Sequence, residues 1–92
     1  MRYEWDSEKN EWLKEEREIS FEKILFHLAR GDLWKLADHP DQENYPRQRI
    51  YFVIVEEYIY IVPHVVEKDY IFLKTIIPSR KATQAYKKEQ EG

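Results

Sequence analysis

The chain has 92 residues, 42% hydrophobic, 36% charged and 15% aromatic, with a net charge of −3 and no cysteine. Those totals fit one folded domain over 1–92 with an aromatic-rich core, and they exclude a disulfide scaffold, a thiol nucleophile and Cys-ligated zinc. No apolar run nears the roughly 18 residues of a membrane helix, and Met1-Arg2-Tyr3-Glu4 offers no apolar signal region, so a cytoplasmic protein without membrane contact is expected.

Tyr3-Glu4-Trp5 reads as a short edge strand. Asp6 or Ser7 then caps a first helix over about 7–18, whose apolar stripe is thin, with Trp12, Leu13 and Ile19 at its end. Ser20 caps a second helix in which Phe21, Ile24, Leu25 and Leu28 recur at i, i+3, i+4 and i+7, with Gly31 as its stop. Leu33–Ala37 reads as a strand, and Asp38–Gln48, with two prolines and almost no apolar residue, as a loop or hairpin arm.

From Arg49 onward the pattern turns to strands: Ile50–Val55, a turn at Glu56-Glu57, Tyr58–Val66, a turn at Glu67–Asp69, and Tyr70–Ile77. Both faces of these strands are apolar, so the sheet is expected to be covered on both sides. Pro78 stops the last strand, Ser79 caps a final helix, and Ala82, Ala85 and Tyr86 fall in register on it. The expected fold is α+β, with two N-terminal helices, an antiparallel meander of three to four strands and a C-terminal helix.

Charge is unevenly placed. Residues 1–42 hold seven Lys/Arg against eleven Asp/Glu, whereas residues 43–88 hold eight against five. Arg80 and Lys81 open the last helix, where acidic residues are the stabilising choice, so two cations beside free helix N–H groups mark an anion site or a poorly optimised helix end. Lys74, between Phe72 and Ile76, needs solvent or an anion.

The three histidines, His27, His39 and His64, have no metal-ligand spacing, and two glycines exclude Gly-rich phosphate loops. No metal or cofactor is expected. Metal-free RNA cleavage needs a base for the 2′-hydroxyl proton, an acid for the leaving oxygen and cations on the charged transition state. Arg80, Lys81 and Lys74 are candidates for the last role, His64 for proton transfer, and Tyr51, Tyr58 and Tyr60 for stacking bases. Packing in the core or at an interface is the competing reading of each tyrosine.

The chain resembles the BrnT-type toxins. The resemblance lies in Tyr3-Glu4-Trp5-Asp6 followed by Lys9-Asn10, in Ile19-Ser20-Phe21-Glu22, and in Ile76-Ile77-Pro78-Ser79-Arg80-Lys81-Ala82-Thr83. It implies a RelE-like fold, metal-independent endoribonuclease activity with RNA as substrate, and neutralisation by a small ribbon-helix-helix antitoxin through which alone DNA is contacted. It also implies that Arg80, Lys81 and Arg49 belong to the catalytic site. The chain departs from the family where Lys-His-Gly usually precedes the Ser-Phe-Glu segment: Glu16-Arg17-Glu18 stands there. The alternative function is a non-catalytic module that binds a protein through an aromatic sheet face and the basic strand-helix junction.

Overall fold

A computed structural model describes residues 1–92. Asp6 accepts from the Glu8 N–H and starts α1 (Ser7–Arg17), and Ser20 accepts from the Lys23 N–H and starts α2 (Phe21–Ala29). The link between them turns at Glu18, whose φ of 52° is left-handed. Asn10 closes the corner. It is buried, accepts from the Phe21 N–H at 2.8 Å and donates to Glu22 Oε1 at 2.8 Å, so one side chain satisfies an orphan N–H of α2 and fixes α1 against it.

Ahead of the helices the chain opens on a strand, β1 (Arg2–Glu4), and after them come β2 (Leu33–Asp38), β3 (Gln48–Val55), β4 (Tyr58–Val66), β5 (Tyr70–Leu73), β6 (Ile77–Pro78) and α3 (Arg80–Glu91). The architecture is α+β, as expected, but the sheet is larger and mixed. Its order is β1-β5-β4-β3-β2, with β6 also on β4, and β1 pairs parallel to β5 at the far edge. A two-residue connection at Glu56-Glu57 joins β3 to β4, and both residues have positive φ, 52° and 66°. That is the backbone a tight hairpin demands.

The single strand expected over 70–77 is instead broken in two. Between His64↔Leu73 and Ile61↔Ile77, two residues of β4 face the three residues Lys74, Thr75 and Ile76. The cause lies in β4. Pro63 accepts from the Lys74 N–H at 2.8 Å but has no N–H to return, so the ladder fails beside it and an extra residue enters. Arg17 reaches across from α1 and donates to the Ile76 carbonyl freed by the break. The break also corrects the placing of Lys74: Ile76 enters the core, Phe72 lies half-buried beside Val65 on the opposite face, and Lys74 is exposed with Nζ 5.7 Å from the Phe72 ring.

The two sheet faces are separated cleanly. Tyr51, Val53 and Val55 of β3, with Val62, Leu73 and Ile76, meet Leu13, Ile19, Phe21 and Ile24 under α1 and α2 to form the main core. Ile50, Phe52 and Ile54 point the other way, toward α3. No helix is long and apolar enough to cross a membrane.

Candidate functional site

The junction from β6 to α3 is tied to the sheet by two bonds to Ile59, and two more within the junction brace them. The Ser79 N–H donates to the Ile59 carbonyl at 3.0 Å, and the Ile59 N–H donates to Thr83 Oγ1 at 2.8 Å. Thr83 in turn donates its hydroxyl proton to the Ser79 carbonyl at 2.7 Å, while Ser79 Oγ accepts from the Ala82 N–H at 3.0 Å. Both backbone groups of Ile59, which sits past the end of the β6 ladder, are thereby satisfied. The start of α3 is thus fixed in position and direction.

Arg80 and Lys81 stand exposed on this fixed turn, which holds no acidic residue. Neither belongs to any of the ion pairs of the molecule. Their charge is uncompensated by protein, beside the first N–H groups of the helix.

Lys81 borders a groove of about 290 Å³ whose other walls include Trp34 and Lys35 of β2, Phe52 of β3, and Ala82 and Ala85 of α3. Trp34 meets Phe52 edge to face at 6.1 Å and Tyr86 at 5.5 Å, and Lys35 Nζ lies 4.3 Å from the Trp34 ring centroid. Sequence reasoning does not single out Trp34, Lys35 and Phe52 as site residues. Their signal is the adjacent aromatic and cation in Leu33–Ala37, but their partners arrive only through β2–β3 pairing and the return of α3.

The other expected site residues lie elsewhere. Arg49 and His64 are directly opposite in β3 and β4, on the face of Tyr51 rather than that of Phe52. His64 is 1% exposed and stacks on Tyr51 at 3.8 Å with planes 13° apart. Its Nδ1 donates to the Val62 carbonyl at 3.0 Å, and burial pushes its pKa below the usual imidazole range, with the Arg49 charge adding to the effect. A neutral, enclosed ring of this kind is a core element, and it lies on the other face of the sheet from the groove that Lys81 borders. Arg49 is turned to Asp38, Nε to Oδ1 at 3.2 Å.

Tyr51 is buried as well, its hydroxyl 3.2 Å from that of Tyr3 and its pKa pushed up by burial. Tyr58 and Tyr60, 5.7 Å apart, are half-buried at the start of β4 on this same face, and burial raises the Tyr60 hydroxyl pKa. Four residues of extended chain, roughly 13 Å, separate Tyr60 from His64. The expected set therefore divides into two: Arg80 and Lys81 at the α3 junction, Arg49 and His64 near the opposite end of the sheet, with Lys74 at the strand break between.

Fold and site together define a three-helix α+β protein with a basic, aromatic groove at one strand-to-helix junction. No protein-family model, no curated protein and no solved structure matches the chain.

Proposed function

We propose that this chain is the toxin of a type II toxin–antitoxin pair, a metal-independent endoribonuclease of RelE-like architecture that acts in the cytoplasm. The observation that supports it best is the uncompensated Arg80–Lys81 pair on a first turn held by the Ser79–Ile59–Thr83 bonds, with Lys81 on the wall of an aromatic groove. In such cleavage the 2′-oxygen of RNA attacks the adjacent phosphorus, a base removes its proton, the P–O5′ bond breaks and the leaving oxygen takes a proton. Charge builds on the non-bridging oxygens, and preorganised guanidinium and ammonium groups stabilise it. Arg80, with its planar fork of donors, suits the phosphorane oxygens, and Lys81 suits a neighbouring phosphate.

The partner in this reading is a small ribbon-helix-helix antitoxin that covers the same cations. Induced expression without it is expected to arrest growth and to yield a protein that degrades RNA in EDTA. Arg80→Ala is expected to relieve the growth arrest and to slow RNA degradation by about 10²–10³ while leaving the melting temperature unchanged. Intact RNA in the presence of a well-folded wild-type protein overturns the proposal.

One observation favours the second reading, a non-catalytic partner-binding module: Arg49 and His64 are committed to Asp38 and to the core instead of facing the junction. In that case Arg80→Glu removes partner binding while RNA stays intact with every variant.

A further inference from the structure

The groove beside α3 contains more than the junction cations require. The Trp34 indole is braced by Phe52 and Tyr86, and its N–H reaches Glu89 Oε1 at 3.3 Å, so the ring is held in one orientation. Lys35 lines the same groove with its ammonium 4.3 Å from the Trp34 ring centroid, so the group a stacked base would displace from that ring is a flexible cation. Ala82 and Ala85 form a low wall opposite, and about 290 Å³ is at the small end of ligand clefts, suited to one planar ring system. Lys35 and Lys81 flank that space, and neither has a carboxylate partner.

We infer that this groove binds single-stranded RNA, one base stacked on Trp34 and the flanking phosphates on Lys35 and Lys81. The inference rests on the ribonuclease reading above and adds how its substrate is held: Trp34 is a positioning platform, and Lys81 of the junction meets the phosphate next to the stacked base. A nucleotide carries a flat π-face and an anion in one repeating unit, which is the pairing the groove offers at Trp34 with Lys35 and Lys81. An acidic peptide supplies the charge without a ring fixed beside it. The stacking surface is thus on the α3 face, not at Tyr58 and Tyr60.

The test is fluorescence anisotropy of the full-length protein with a short 2′-O-methyl RNA, which cannot be cleaved. Trp34→Ala is expected to weaken binding on the order of tenfold or more, and Trp34→Phe much less. Lys35→Ala with Lys81→Ala is expected to weaken binding and to lower the salt-dependence slope by about 1.4, roughly 0.7 for each phosphate no longer neutralised. Replacing the bases by abasic sites is expected to weaken wild type more than Trp34→Ala, and should Trp34→Ala fail to fold, the same comparison is made with Trp34→Leu, which keeps apolar bulk without a π-face. Equal abasic losses for wild type and the Trp34 variants overturn the inference, as does a poly-glutamate peptide that binds where RNA does not. Trp34-dependent RNA binding without cleavage overturns the ribonuclease reading alone, whereas cleavage with Trp34-independent binding overturns the inference alone.

Discussion

Glu56 and Glu57 both adopt left-handed backbone in the turn from β3 to β4, where a side chain crowds its own carbonyl at roughly 1–2 kcal/mol per residue. Asn-Gly is the sequence such a turn favours. Glu56→Asn with Glu57→Gly is therefore expected to raise stability by about 1–2 kcal/mol in a denaturant titration. Glu18 is a third such case, φ 52° at the α1–α2 link, and it stands where the resembled family carries Gly. His64 acts in the opposite sense. Because burial lowers its pKa in the folded chain, the unfolded chain binds its proton first as pH falls. Its contribution to stability is complete above the ordinary value near 6.5 and declines as pH drops from there toward the lowered folded value. Thermal melts from pH 7.5 to 5 should show this acid limb in wild type, and His64→Phe, which keeps a ring on Tyr51, should flatten it.

At the scale of elements, the attachment of α3 depends on one hydroxyl. Thr83→Val conserves shape but leaves the buried Ile59 N–H without a partner, an expected loss of about 1–3 kcal/mol. In a domain of this size that lowers the melting temperature by roughly 4–8 °C for each kcal/mol. Asn10→Ala should cost a similar about 1–3 kcal/mol at the other end of the molecule, because Phe21 loses its acceptor. These bonds explain which elements are readable in the sequence. Helix α2 is legible because its cap and its apolar stripe are both local, and the β3–β4 hairpin because alternation and turn length are local too. The broken strand is not legible, since Ile77 continues the apolar run while the cause, Pro63, stands in a neighbouring strand. β1 reads as an edge strand, but its parallel partner, β5, lies at the far end of the chain.

Over the whole molecule the sheet is a partition. One face is filled by α1, α2 and the His64–Tyr51 stack, and the other carries the groove with Lys81 on its wall. Arg80 and Lys81 are legible as an unpaired cation pair because two cations in a first turn are an electrostatic anomaly visible in one dimension. Grouping them with Arg49 and His64 is not sustained, because strand alternation places those two on the opposite face at the other end of β4. Trp34 and Phe52 are not legible as site residues, because only the folded sheet brings them to α3. Whether Arg80 stabilises charge on a cleaving RNA phosphate is read from single-turnover cleavage of a defined RNA in EDTA. A rate lowered by about 10²–10³ is expected in Arg80→Ala, with partial recovery in Arg80→Lys and unchanged melting of both. Equal rates for wild type and Arg80→Ala, or no cleavage by the folded wild-type protein, would contradict it.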